Sequence, residues 1–169
     1  MKKIFVAFVV MLMSTTLFAR EVKILSGSAD YATADAKVYV EVDFSKARWE
    51  KEQSFEAFCG EDFQTRVELC TATFKDALQK YYKKSQVVEE QDGATHKMVF
   101  HVIEMERKMG GEFGQFYINV SGLIDVVDLS TGETVCTIEI KRLSGRPDYV
   151  PNDRLAKCFN ALGKKVAKL

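Results

Sequence analysis

The chain has no excess of charge of either sign: 24 Lys and Arg stand against 24 Asp and Glu. A protein that grips nucleic acid needs a strong positive field, and one held at a lipid surface by basic residues needs a polybasic cluster. Neither is present, so both classes are set aside. Histidine is nearly absent, with only His96 and His101. Neither has a cysteine or carboxylate nearby at ligand spacing, which argues against a metal centre. The four cysteines form no C-x-x-C pair, so a zinc ribbon or thioredoxin-like redox site is not expected. There is no G-x-S-x-G, Walker A, Rossmann or H-E-x-x-H pattern. Internal repeats and low-complexity tracts are missing too. The sequence assigns no catalytic, cofactor-binding or metal-ligating residue, and no cofactor.

One long apolar run exists, and it opens the chain. MKKIFVAFVVMLMSTTLFAR has a basic start at Lys2 and Lys3 and an apolar stretch from Ile4 to Met13. Small and polar residues then run to Ala19. That stretch is too short to span a bilayer comfortably, and the order is that of a secretory signal peptide. Cleavage is expected near Ala19, although Leu17 is larger than the residue usually found at that step. No cysteine near the cut points to a lipid anchor. Removing Lys2 and Lys3, with no acid lost, takes the formal charge from +0 to −2. The chain is therefore expected to be exported, to the periplasm or the cell surface, with no transmembrane segment.

The remaining 150 or so residues suit a single domain of ordinary size. Residues 20–36 are small and polar and are expected to be a flexible lead-in to a domain over 37–169. Lys37 to Phe44 alternates strictly, with Val38, Val40, Val42 and Phe44 on one side, as in a half-buried strand. Ser45 to Cys59 is mixed and fits a short helix or an ordered loop. From Asp62 to Lys84 apolar residues recur at three- and four-residue spacing, which predicts a helix capped by Asp62. Ser85 to Glu90 is a short strand candidate. His96 to Arg107 is apolar on both parities from Met98 to Ile103, apart from His101, as in a central strand. Lys108 to Gly114 reads as a glycine-rich hairpin tip. Its glycines lack the Lys-Ser/Thr and the helix of a phosphate loop.

Gln115 to Leu129 reads as a long strand with Gly122 on its apolar side, which predicts a bulge or a close neighbour. Ser130-Thr131-Gly132-Glu133 turns the corner into a return strand over Thr134 to Arg142. The loop from Leu143 to Pro151 holds both prolines. A final helix, capped by Asn152, is expected to run to about Lys168. This order predicts an α+β fold of two layers. An antiparallel or mixed sheet of four to five strands would carry two main helices on one face. The other face would be polar, with Tyr39, Glu41, Tyr117, Asn119, Thr137 and Glu139.

The segments VEVDFSKARWEKEQSFEAF, FKDALQKYYKKSQVV, HKMVFHVIEME and VSGLIDVVDLSTGETVCTIEIKRLSG resemble small exported proteins of unknown function from Bacteroidetes-type bacteria. The latter part is also similar to periplasmic α/β modules of the TolB N-terminal and CsgG-like kind. The resemblance covers about Lys37 to Leu169. It implies an α/β fold and an envelope setting and carries over no catalytic residue.

Several residues still deserve weighing as chemistry. His101 in an apolar strand is more often a structural histidine than a base, and His96 beside a turn is most simply solvated. Cys59 is the least obviously buried thiol, and a thiol enzyme would pair it with His101. Cys59, Cys70, Cys136 and Cys158 form an even count in an exported chain. That allows two disulfides in three pairings, while their apolar settings suit free buried thiols equally well. Asp43, Asp125 and Glu139 project from the polar sheet face, where carboxylates usually only solubilise. Trp49, Phe55, Phe58 and Phe63 either line a pocket or close a core edge. The reading that results is a non-enzymatic envelope module that binds another envelope protein or itself. The alternatives are a small hydrolase or thiol enzyme using His101, and a carrier of a small apolar ligand.

Overall fold

A computed structural model of the chain describes residues 21–33, 35–109, 116–145 and 151–169, with side chains from 154 onward in the last segment. The segment expected to be a signal peptide, most of the glycine-rich segment and most of the proline-containing segment lie outside the described residues.

Among the described residues eight strands form one mixed sheet. They are β1 (Val22–Gly27), β2 (Lys37–Asp43), β3 (Arg48–Trp49), β4 (Gln53–Ser54), β5 (Gln86–Val88), β6 (His96–Met109), β7 (Phe116–Asp128) and β8 (Thr134–Ser144). The order across the sheet is β1-β8-β7-β6-β2-β5, with the β3–β4 pair continuing the line of β2 beside the far half of β6. The helices are α1 (Phe55–Cys59), α2 (Phe63–Tyr81) and α3 (Pro151–Val166).

The α+β class stands, but the expected four to five strands do not: the sheet has eight. The extra ones are short and carry no readable period. β1 lies within the segment expected to be a flexible lead-in. It ends in the small residues Ser26 and Gly27, yet it pairs antiparallel with β8, Val22 against Ile140 and Ile24 against Ile138. β3 and β4 have two residues each, too few for alternation to show. The long strands are joined antiparallel, whereas β2 runs parallel to both β5 and β6, with α2 making the crossover.

The core follows from alternation. One row crosses five strands as Val42, Phe100, Ile124, Ile138 and Ile24. Phe100 is the hub, because Phe74 of α2 and Phe159 of α3 lie 5.8 and 6.0 Å from its ring. Cys70, Phe74, Ala77 and Leu78 of α2 and Leu155, Cys158, Phe159 and Leu162 of α3 are all buried. The helices touch closely at Gly163, where a Cβ would sit 2.7 Å from that of Ala77.

Gly122 answers to both sequence expectations. A side chain there would collide with the His101 carbonyl, and register slips occur beside it on both neighbouring strands. The slip in β6 leaves Ile103 as the bulged residue, 49% exposed. On β8, Arg142 takes a left-handed φ of 46°, and its N–H donates to Ser121 Oγ at 3.0 Å. The three central strands therefore bend along one line.

The hairpin after β7 is closed by Asp128. Its Oδ1 accepts from the Ser130 N–H at 2.7 Å and the Ser130 hydroxyl at 2.6 Å, and these bonds hold its pKa below the usual carboxylate range. Gly132, at φ +75°, supplies the left-handed residue. At α2, Asp62 has helical angles and makes no cap bond, and its carboxylate pairs with Arg66 at 3.3 Å instead. Ser54 caps α1 by accepting from the Ala57 N–H at 3.1 Å.

Candidate functional site

The helices cover one face of the sheet and leave the other open. The row beside the core row reads Asp43, His101, Leu123, Glu139 and Lys23, and its neighbour reads Glu41, Val99, Asp125 and Thr137. Apart from Lys23, which is exposed, all of these are half-buried. Two expected members of the polar face behave differently. Asn119 is only 4% exposed, because it donates to Glu106 Oε1 at 3.0 Å and Arg142 pairs with the same carboxylate oxygen at 3.3 Å. Tyr39 lies near the β5 edge, with the Lys75 ammonium of α2 at 5.8 Å from its ring.

His101 sits between two of the carboxylates weighed in the sequence. Its Nδ1 is 3.0 Å from Asp43 Oδ2, and its Nε2 is 3.9 Å from Asp125 Oδ2. Asp43 also accepts from the Ser45 N–H at 2.8 Å. Bonds from Ser45, and then the one from His101, lower its pKa to about 2. An ionised carboxylate only accepts, so His101 Nδ1 must carry the shared proton. Asp125 accepts in turn from the Thr137 hydroxyl at 2.7 Å. Glu139 pairs with Lys141 at 3.0 Å and does not join this cluster. His96 is bonded to Thr95 Oγ1 at 2.9 Å beside the turn.

The structure does not bring Cys59 to His101. Cys59 is packed in the core with Phe55 and Trp49, the side of the sheet toward which Phe100 and Val102 point. His101 alternates with those residues and faces the other way. Burial raises the Cys59 thiol pKa despite the Arg66 guanidinium beside it, the opposite of an activated nucleophile. Cys70, Cys136 and Cys158 are also buried, and all four cysteines are unbridged. Burial pushes Cys158 up to about 12, and its thiol donates to the Leu143 carbonyl at 3.4 Å. Among the described residues no group of three or more His, Cys, Asp and Glu side chains is placed to hold a metal ion.

The aromatic set divides. Phe55 is fully buried, while Trp49 and Phe58 stack at 4.0 Å and line a cleft of about 110 Å³ at the rim of the core. Ile118, Leu155, Arg66, Arg107 and Arg154 complete its lining. Sequence reasoning missed these arginines. They come from three separated elements at no regular spacing, so no local signal marks them.

Fold and surface define an α+β module with a two-layer core and one open sheet face. No protein-family model matches the chain, and no curated protein matches it. Among solved structures it is similar to a PelC dodecamer from Paraburkholderia phytofirmans in space group P6. The TM-score is 0.49 at 17% identity, over 86% of this chain and 94% of that one. A point variant of that dodecamer in space group C2 gives 0.45 at 14% identity, over 86% and 95%. At this similarity the likeness assigns no function.

Proposed function

We propose that the chain is an exported, non-enzymatic binding module of the cell envelope that meets a protein partner through its open sheet face. The observation that carries this reading is the composition of that face. Val99 and Leu123 are half-buried at its centre, Ile103 stands exposed at the bulge, and paired charges surround them. Apolar groups ringed by polar ones are the anatomy of an interface. Among the described residues β1 is also an edge strand, which a partner strand can extend. Export rests on the order of residues in the first twenty positions. No helix of the described residues is long and apolar enough to cross a membrane.

The test is photocrosslinking in cells from single positions. A crosslinker at Leu123 or Ile103 is expected to capture a repeatable envelope protein, or a second copy of this chain. One at Asp76, on α2, is expected not to. Leu123→Lys should abolish capture while leaving the melting temperature almost unchanged. Equal capture from both sides, or none from the open face, refutes the assignment.

One observation favours a second reading, a small hydrolase: the Asp43–His101–Asp125 cluster has the donor and acceptors of acid–base chemistry. Among the described residues no activated nucleophile adjoins it, and it sits on an open sheet surface. His101→Gln leaving partner capture intact while abolishing a hydrolytic activity would favour it.

A further inference from the structure

α2 and α3 finish side by side, and lysines gather where they do. The ammonium groups of Lys80, Lys164 and Lys168 lie 5.8, 5.2 and 5.5 Å from the ring centre of Tyr81. No two of them can be more than about 11 Å apart, close to the Debye length at 0.1 M salt. Lys83 and Lys84 line, with Lys168, the groove beyond the end of α2. All of these lysines are exposed. Read along the chain they form no basic run, because two helices distant in sequence bring them together.

Local anions do not account for the cluster. Helix C-termini are negative ends, and Lys80 and Lys164 stand in last turns. Two such ends amount to about one unit of negative charge, well short of the lysines gathered there. Among the described residues Lys80, Lys83, Lys84, Lys164 and Lys168 form no ion pair with a carboxylate, while Lys165 takes Glu21. Asp30 is the acid of the groove, and its carboxylate accepts from the Ser28 hydroxyl at 2.7 Å. Like charges held together repel one another, and an anionic surface turns that repulsion into attraction.

The cations are all lysines, point charges on flexible stems that meet phosphates at any spacing. A peptide carboxylate is gripped better by the arginine fork. Leu169, 45% exposed, places apolar surface among the ammonium groups, a mixture suited to the boundary of headgroups and acyl chains. Glu21, where the described residues begin, is paired to the last turn of α3, and the apolar Ile4–Met13 stretch shortly precedes it in sequence. That stretch, while in a membrane, leads into the domain beside these lysines. We propose that the lysine-rich end of α2 and α3 docks on an anionic phospholipid surface. The ammonium groups meet headgroup phosphates. From the reading above this takes only the export of the chain; the open sheet face has no part in it.

Co-sedimentation with vesicles tests this on the exported chain, residues 20–169. Vesicles of phosphatidylglycerol and phosphatidylcholine in equal parts are compared with phosphatidylcholine alone. Half-maximal binding is expected at a lipid concentration at least about tenfold lower with the anionic vesicles, and salt of about 0.5 M should abolish it. Lys164→Gln with Lys168→Gln should raise that midpoint about tenfold. Lys80→Gln with Lys84→Gln, on the α2 side, is a second pair, and circular dichroism and melting verify both folds. Lys46→Gln with Lys108→Gln removes the same charge from exposed positions elsewhere and should move the midpoint less than about twofold. No binding to the anionic vesicles, or equal binding to both kinds, overturns the proposal. So do equal weakening by the control pair and a midpoint unmoved by both helix pairs. Retention on immobilised polyglutamate without binding to vesicles overturns it too, and assigns the cluster to an acidic protein.

Discussion

Alternate residues of one strand serve two different environments. On β6, Met98, Phe100 and Val102 are buried without remainder, while Lys97, Val99 and His101 remain half in solvent. Against the helices the packing is mainly apolar and dense, so a truncated side chain leaves a void. On the open face the polar groups are matched to one another: Asp43 with His101 and Ser45, Asp125 with Thr137, Lys97 with Glu41 at 2.9 Å. The covered face is thus committed to stability. The open face is satisfied locally and is available for contact at little cost to the fold.

The contrast can be broken most severely at its hub. Phe100→Ala removes the ring on which Phe74 and Phe159 both rest, and should cost about 3–5 kcal/mol in chemical denaturation. A loss below about 1 kcal/mol would mean the two helices hold without it. Gly122→Ala tests the line along which the strands bend. Its added methyl meets the His101 carbonyl and should cost about 1–3 kcal/mol, with Ile103 becoming more or less exposed as the bulge shifts. An unchanged melting temperature would show that the strands can part there freely.

Asp43→Asn sharpens the comparison from the open side and should cost only about 0.5–1 kcal/mol at neutral pH. The sign with pH is fixed by the direction of its shift. A carboxylate lowered from 3.8 to about 2 by folding stabilises the protein above its unfolded pKa, and that contribution fades as pH falls through about 2. The mutant and parent stabilities should therefore converge between pH 4 and pH 2, about the span of that shift. A gap that persists in acid would place the effect elsewhere than in the charge.

How much of this was legible follows from periodicity. β2, β7 and β8 repeat every two residues, β6 is an apolar run on both parities, α2 and α3 repeat every three to four, and each lies close to where its pattern predicts. β1, β3 and β4 were not legible as strands, because their pairing partners and not their own residues make them so. Asp43, His101 and Asp125 were each visible as candidates, but their meeting depends on the parallel register of β2 against β6, which no local pattern encodes. The rim arginines were legible only as scattered charge. Their convergence needs the β6–β7 hairpin, α2 and the start of α3 to be placed first.

The pairing of β1 with β8 has a temporal consequence. Among the described residues the first strand has one neighbour, the last strand, with Val22 opposite Ile140. As the chain emerges N-terminus first, β1 must wait, with its backbone hydrogen bonds unmet, until nearly the whole domain has appeared. The final closing step is therefore concentrated at one seam. Lys165, near the end of α3, pairs with Glu21 just ahead of β1 and ties the last helix to the start of the first strand. A domain built this way cannot be half finished: until β8 arrives, its first strand has no strand to dock on.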